Sequence, residues 1–364
     1  MHIGPYTFSG RFFLAPLAGV SDRPFRSICR RMGAAFAYTE MVSAHGLLHG
    51  TAQTLSYLDR DPAEHPFAVQ IFASEPEVLA RGAAAAVAAG AGLIDINMAC
   101  PVRKVCGSGA GAALARSPAA VEAAVAAVAR AVPGTPVSVK IRAGWDETTL
   151  NCVEVARAAE AGGASAVALH GRTRAQGYSG RARWELIGQV KAAVGIAVLG
   201  SGDVWTAADA LRMRAETGCD AVLVARGACG NPWVFADLKA AEAGLPLPGP
   251  PGLQAWREVV LEHVALQVEH RRRQRPGEPP EAAERLAVKE LRKHLLWYTR
   301  GRRGGVGFRR EAGRVSTAAE VAALIDLHFP AGSAFELDPA FHPAEDGDGA
   351  PRDGAEGGPD AAEA

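Results

Sequence analysis

The chain has 364 residues, 48% hydrophobic and 21% charged, and its 39 Lys+Arg balance 39 Asp+Glu. That length holds two domains or one large barrel with an appendage, and the composition suits a protein with a full core. No apolar run approaches the ~20 residues that span a bilayer, and no signal-peptide pattern opens the chain. The six cysteines are scattered, with no CxxC pair and no His cluster, so neither a zinc site nor a disulfide framework is indicated. A cytoplasmic protein with reduced thiols, no membrane segment and no metal is expected.

Short β-like runs then alternate with alanine-rich helical stretches. The first strand, Phe12–Ala15, leads into Pro16, Leu17, Ala18 and Gly19; the second, Ala35–Thr39, ends at Glu40; the third, Phe67–Phe72, carries Gln70. After a helix at Pro76–Ala89 comes Leu93–Asn97, which delivers Asn97 and then Cys100-Pro101, followed by Arg103, Lys104 and the glycine-rich Gly107–Gly111. Pro101 stops the strand and leaves the thiol in a loop. Helix Pro118–Ala131 precedes Val137–Ile141 with Lys140, and helix Leu150–Ala161 precedes Ala166–His170 with Gly171-Arg172 beyond it. Helix Trp184–Val194 leads to Ala197–Gly200 and Ser201-Gly202-Asp203, and helix Trp205–Glu216 to Ala221–Ala225 and Arg226-Gly227, before Pro232–Ala240. Eight strands in β-α alternation predict an α/β fold, a TIM (β/α)8 barrel. A doubly wound sheet is the alternative, but no GxGxxG follows the first strand.

A lone cysteine such as Cys100 reads as core packing. One polar or glycine-rich group at every strand end reads otherwise, because barrel active sites are built at that rim. The two glycine-rich turns after the last two strands, each running into a helix, form the usual barrel phosphate site. Arg226 adds a charge-assisted donor there. The barrel is assigned to residues 1–245, and the proline-rich Leu245–Gly252 reads as a linker. Helices at Leu253–His270, Ala282–Tyr298 and Thr317–Leu327, with a basic loop at Arg271–Pro280, make a helical domain over 253–330. Residues 336–364 are expected to form a disordered acidic tail. The zero net charge is misleading: Leu253–Ser316 holds fifteen Lys/Arg against eight Asp/Glu, while from Phe335 onward nine acids face Arg352 alone. A basic helical surface is either an ordinary solvated face or the footprint of a polyanion. Trp297-Tyr298 reads as core or as a stacking platform.

The stretches Leu14-Ala15-Pro16-Leu17-Ala18-Gly19, Gln70-Ile71-Phe72, Asp95-Ile96-Asn97-Met98-Ala99-Cys100-Pro101, Lys140-Ile141-Arg142, His170-Gly171-Arg172-Thr173-Arg174-Ala175-Gln176-Gly177-Tyr178 and Lys289-Glu290-Leu291-Arg292-Lys293-His294 carry a resemblance. The chain resembles the tRNA-dihydrouridine synthase family, most closely its bacterial DusB-type branch, over about residues 3–325. That resemblance implies an FMN-bound barrel, a helical tRNA-binding domain, and NADPH-dependent reduction of the C5–C6 double bond of a D-loop uridine in tRNA. It implies that Pro16, Leu17, Ala18 and Gln70 line the flavin ring, Lys140 faces its N1/C2 side and His170 lies beside it. Ser201, Gly202, Asp203, Ala225 and Arg226 would hold the ribityl phosphate. Cys100 would donate the proton and Asn97 would hold the flipped uracil. Arg172, Lys289, Arg292, Lys293 and His294 would meet substrate or tRNA, with Arg302, Arg303, Arg309 and Arg310 as further phosphate contacts. The family usually has Met at Leu17 and Asn at Ser201; Cys106 is a further departure, and the thiols of Cys100 and Cys106 are candidates for oxidative pairing. An unperturbed thiol, with a pKa of about 8.5, is mostly protonated at neutral pH and suits a general acid. Two other readings stand beside this one: an FMN-dependent dehydrogenase of free pyrimidines, and a non-catalytic tRNA-binding chaperone. A monomer is expected.

Overall fold

The alternation closes on itself. The structure, a computed structural model, describes residues 1–338 and 341, apart from the side chains of Ala52 and Gln53. A short hairpin, β1 (His2–Ile3) and β2 (Tyr6–Thr7), precedes eight strands: β3 (Phe12–Leu14), β4 (Phe36–Ser43), β5 (Ala68–Phe72), β6 (Leu93–Met98), β7 (Val137–Arg142), β8 (Ala166–His170), β9 (Ala197–Ser201) and β10 (Ala221–Val224). These eight form a closed barrel, each parallel to the next, with β10 returning to pair with β3. Around it run α1 (Arg23–Arg31), α2 (Ala44–His49), α3 (Ala52–Ser56), α4 (Pro76–Ala88), α5 (Arg103–Gly107), α6 (Pro118–Ala131), α7 (Cys152–Ala161), α8 (Glu185–Ala193), α9 (Ala207–Thr217) and α10 (Val234–Glu242). Beyond lie α11 (Leu253–Gln274), α12 (Pro280–Tyr298), α13 (Gly305–Ala312) and α14 (Ala318–His328).

The expected strands recur nearly residue for residue, and β4 is the exception. It runs four residues past its expected end, through a register shift between Tyr38 and Met41. Such a bulge re-aims side chains, and here it turns Met41 into the barrel mouth. The hairpin, α1, α2, α3, α5 and α13 were not expected. The hairpin closes the far end of the barrel: Ile3 and Phe8 pack with Phe13 and Phe36, and the Phe8–Phe36 ring centroids lie 4.9 Å apart. With that end filled by apolar side chains, polar chemistry is confined to the C-terminal ends of the strands.

The four C-terminal helices do not build their core alone. Trp256, Val260, Leu291, Leu295, Phe308 and Ile325 pack in one cluster that also takes in Ile28 of α1 and Trp233. Ion pairs reinforce the junction, Arg23 with Glu269 at 3.0 Å and Arg273 with Asp59 at 2.7 Å. The proline-rich segment is pinned by the N–H of Gly249, which donates to Asp237 at 3.0 Å. The first residues of the expected tail touch the helical region. Leu337 forms a bridge with Arg302, and Phe341 packs against Gly301 (φ +64°), where an added Cβ would come within 2.2 Å of its ring. Residues 342–364, most of that expected tail, lie outside the described residues. Among the described residues no helix is long and apolar enough to cross a membrane.

Candidate active site

The barrel register builds the site in rows. Gln70 of β5 stands beside Asp95 of β6, which stands beside Ser138 of β7. One step nearer the mouth, Asn97 pairs with Lys140; at the rim Arg142 pairs with His170 and His170 with Ser201. A cavity of about 960 Å³, open solvent included, occupies the mouth. Every residue expected at the cofactor lines it: Pro16, Leu17, Ala18, Gln70, Lys140, His170, Ser201, Gly202, Asp203, Ala225 and Arg226. Asn97 and Cys100 line the same cavity.

The buried row is a directed hydrogen-bond relay. Ser138 Oγ donates to Asp95 Oδ1 at 2.5 Å, and Gln70 Nε2 donates to Asp95 Oδ2 at 2.6 Å. Because the ionised carboxylate only accepts, Gln70 must turn its amide nitrogen toward it and its oxygen away. Gln70 Oε1 therefore accepts from Asn97 Nδ2 at 2.8 Å. That leaves Asn97 Oδ1 facing the loop, where it accepts the N–H groups of Ala99 (3.1 Å) and Cys100 (2.9 Å). Burial pushes Asp95 up to about 6, against the hydrogen bonds from Gln70 and Ser138 and the charge of Lys140. Arg142 braces the loop from the other side, donating to the carbonyls of Ala99 (2.8 Å), Gly177 (2.8 Å) and Thr173 (3.1 Å).

The opposite wall is cationic. Burial, then the charges of Arg142, Lys140, Arg172 and Arg226, hold His170 well below its ordinary pKa, so its ring is neutral. Arg172 approaches its Nε2 at 3.4 Å; a guanidinium only donates, so Nε2 accepts and Nδ1 carries the proton. Asp203 accepts two bonds from Arg172 (2.7 and 2.8 Å) and one from the N–H of Ala182 (2.7 Å). It holds a left-handed φ of 54°, and its carboxylate is committed to that pair. Arg226 lies over the rings of Tyr178 (4.5 Å) and Trp205 (4.8 Å), with Asp203 at 3.5 Å.

Several expected substrate contacts sit elsewhere. Arg172 is 2% exposed and held by Asp203 and the carbonyls of Ser179 and Gly180, so it shapes the wall and presents almost no surface of its own. His294 is 1% exposed, packed among Phe25, His263 and Trp297, because position 294 faces the apolar seam between α12 and α1. Arg292 donates twice to the carbonyl of Val315 and serves as a brace. Lys289 is exposed, and Lys293 lies near Gly19 at the barrel rim. Trp297 and Tyr298 are core. Sequence reading missed Asp95, Ser138, Met41, Arg142, Tyr178 and Trp205; the alternation of Val137-Ser138-Val139-Lys140-Ile141-Arg142 carried a signal for two of them, since polar side chains at every second strand position share a face.

Barrel and mouth together define a class: this is an enzyme, a flavin-dependent oxidoreductase. Histamine dehydrogenase from Rhizobium sp. 4-9 shares the fold at a TM-score of 0.51 and 14% identity, over 73% of this chain and 50% of its own. A 2-naphthoyl-CoA reductase does so at 0.54 and 11%, over 68% and 52%. Sequence narrows the class. The chain belongs to the dihydrouridine synthase (Dus) family, whose profile matches residues 13–332, and to its bacterial B-type branch. The tRNA-dihydrouridine synthase B of Pseudomonas aeruginosa is 40% identical over 327 residues, 89% of this chain and 94% of its own. That of Xanthomonas campestris pv. campestris is 40% identical over 332 residues, 91% and 96%. A probable tRNA-dihydrouridine synthase of Mycobacterium tuberculosis is 39% identical over 339 residues, 90% and 84%.

Proposed function

We propose that this chain is a tRNA-dihydrouridine synthase that uses FMN and NADPH to reduce the C5–C6 double bond of a D-loop uridine, working in the cytoplasm as a monomer. The observation that carries this reading is the convergence of the phosphate turns, the ring-lining residues and Cys100 on one cavity. The donor set fits a flavin mononucleotide. Lys140, Arg142, Arg172 and Arg226 surround His170 with positive charge, and the one lining acid on that wall, Asp203, is turned onto Arg172. The turns after β9 and β10 add backbone N–H groups for a phosphate.

When bound, FMN supplies the hydride to C6 of uracil after reduction by NADPH. The chain's own groups do the rest. Cys100 gives the proton to C5, and the bonds from its N–H and that of Ala99 to Asn97 fix the thiol's approach. Gln70, with its oxygen turned to Asn97, keeps a second amide proton for a ring acceptor. Neutral His170 offers its Nδ1 proton without adding charge. Arg142 and Tyr178, side by side at the rim (5.8 Å), form the wall against which an extruded base would rest. A uridine in folded tRNA must be unstacked to arrive there, and the exposed Lys289, Arg303 and Arg310 offer phosphate contacts on the helical face.

The test begins with the visible spectrum of the purified protein. Incubation with NADPH and unmodified tRNA, followed by mass-spectrometric mapping, should find dihydrouridine at one position. Cys100→Ala should slow product formation by roughly two to four orders of magnitude while flavin reduction by NADPH is spared. A yellow protein that ignores tRNA and reduces free uracil or orotate would overturn the reading.

A further inference from the structure

Beside the phosphate turns lies a second cavity that the reduction chemistry leaves unused. It encloses about 1330 Å³, open solvent included, between the start of α9, the turn after β10, the proline-rich segment and the loop between α12 and α13. Two kinds of wall meet there. Leu247, 53% exposed, and Pro250 supply apolar surface, backed by Trp205, Trp233 and Trp297, which are 5–9% exposed. Arg226, with Asp203 at 3.5 Å, Arg300 and Arg302 line it as cations, and among the described residues its one lining carboxylate, Asp237, accepts the N–H of Gly249. Arg302 donates to the carbonyl of Phe335 at 3.3 Å and lies 4.2 Å over its ring; among the described residues it has no carboxylate partner. Burial lowers it to about 10.

An apolar wall beside guanidinium groups is the chemistry of a phosphorylated nucleoside, whose base packs on the apolar side and whose phosphates take forked donors. The second cavity shares Trp205 and Arg226 with the mouth, so a ligand there lies next to whatever occupies the flavin site. A dinucleotide reductant has that shape: its nicotinamide must reach the mouth, while its adenosine half needs an adjoining berth. Uridine must later take the nicotinamide's place, which favours holding the reductant by its far end. Resting on the reading that NADPH is the reductant, we propose that this cavity binds its 2′-phosphoadenosine end, with Arg302 selecting for the 2′-phosphate. Arginine beside that phosphate is the general means of telling NADPH from NADH.

The probe is 2′,5′-ADP, titrated calorimetrically into the flavin-loaded, full-length protein, with 5′-AMP as the counterpart that lacks the 2′-phosphate. Binding of 2′,5′-ADP in preference to 5′-AMP is expected. Arg302→Gln should weaken it 10- to 100-fold, the loss of one charge-assisted contact. Leu247→Glu, at an exposed position that leaves the fold intact, should weaken it similarly by placing a like charge beside the phosphate. In anaerobic flavin reduction without tRNA, Arg302→Gln should raise the KM for NADPH and leave NADH unchanged, while Leu247→Glu, at the wall that packs the base, should raise both. No binding of 2′,5′-ADP by wild type, or binding that both variants retain, would overturn the proposal even if dihydrouridine is made. Loss of tRNA affinity with unaltered NADPH kinetics would assign the cavity to RNA and overturn it too. A protein that carries no flavin would instead remove the proposed function.

Discussion

Asn97 lines the mouth, and resemblance implies that it holds uracil, yet its carbonyl oxygen accepts two backbone N–H groups of the Cys100 loop. The near-isosteric Asn97→Leu separates the two roles. It strands the N–H of Ala99, the N–H of Cys100 and the Oε1 of Gln70. Two or three orphaned groups in a buried setting cost about 2–4 kcal/mol in total. With an unfolding entropy of about 2.1 cal/mol/K per residue over roughly 340 residues, each kcal/mol moves Tm by about 1.4 °C. A drop of about 3–6 °C is expected in a far-UV melt of the flavin-loaded protein. A loop freed by even an ångström costs about a hundredfold in rate, so single-turnover dihydrouridine formation should fall by that order. Affinity for tRNA, which phosphate contacts dominate, should stay within about threefold. A Tm within 1 °C of wild type, together with weakened tRNA binding and an intact rate, would refute the loop role and leave Asn97 as a substrate contact.

Glu40 offers a pH test. Burial and the charge of Asp22 raise it to about 7, against the N–H of Gly19 and the charges of Lys293 and Arg26. An acid raised above its ordinary 4.5 stabilises the fold fully below that value and loses the contribution as pH climbs through about 7. Glu40→Gln should therefore melt higher than wild type at pH 8 and lose that advantage at pH 4.5; parallel pH profiles would sink the argument. Gly202→Ala places a Cβ 2.6 Å from Ala182 and 2.9 Å from His170 at a φ of +115°. The ratio of flavin to protein absorbance after purification should drop, and an unchanged ratio would separate Gly202 from the cofactor site. Lys289→Ala should flatten the salt dependence of tRNA binding by about one ion. His294→Phe should leave it alone, and the reverse pattern would put His294 back at the interface.

The barrel was legible because its signal is repetitive: eight apolar runs, each followed by a polar or glycine-rich group and a helix. What the pattern could not show is which polar side chains look inward at which level. Gln70 was placed from its motif, but its partner Asp95 lies 25 positions away and meets it only through the register of β5 and β6. Local composition also misled at α12. Lys289, Arg292, Lys293 and His294 read as one basic patch, yet over these six residues they end in different settings. One is exposed, one braces Val315, one leans to the rim and one is sealed against α1. By spacing Lys289, Arg292 and Lys293, at i, i+3 and i+4, share a face, and it is His294 that turns into the buried seam, while the brace to Val315 commits Arg292. The core shared by α11–α14 and α1 was hidden for the same reason: Ile28 and Trp233 look like ordinary barrel-side apolar residues until the chain folds.

The relay carries one consequence for how the site works. Its sense is set at the end far from the thiol, by a carboxylate that accepts and does not donate while ionised. Asp95 has a pKa of about 6, so at neutral pH Gln70 and Asn97 are held in the orientation that turns Asn97 Oδ1 to the loop. Protonation below that value gives Asp95 a donor, which removes the reason for Gln70 to point its nitrogen there. If Gln70 flipped, its nitrogen would face that of Asn97, and the mismatch would pass to the N–H of Cys100. Burying an acid at the barrel's centre opposes its own ionisation. The return is that the loop carrying Cys100, the proposed proton donor, is oriented by hydrogen bonds from three strands of the barrel.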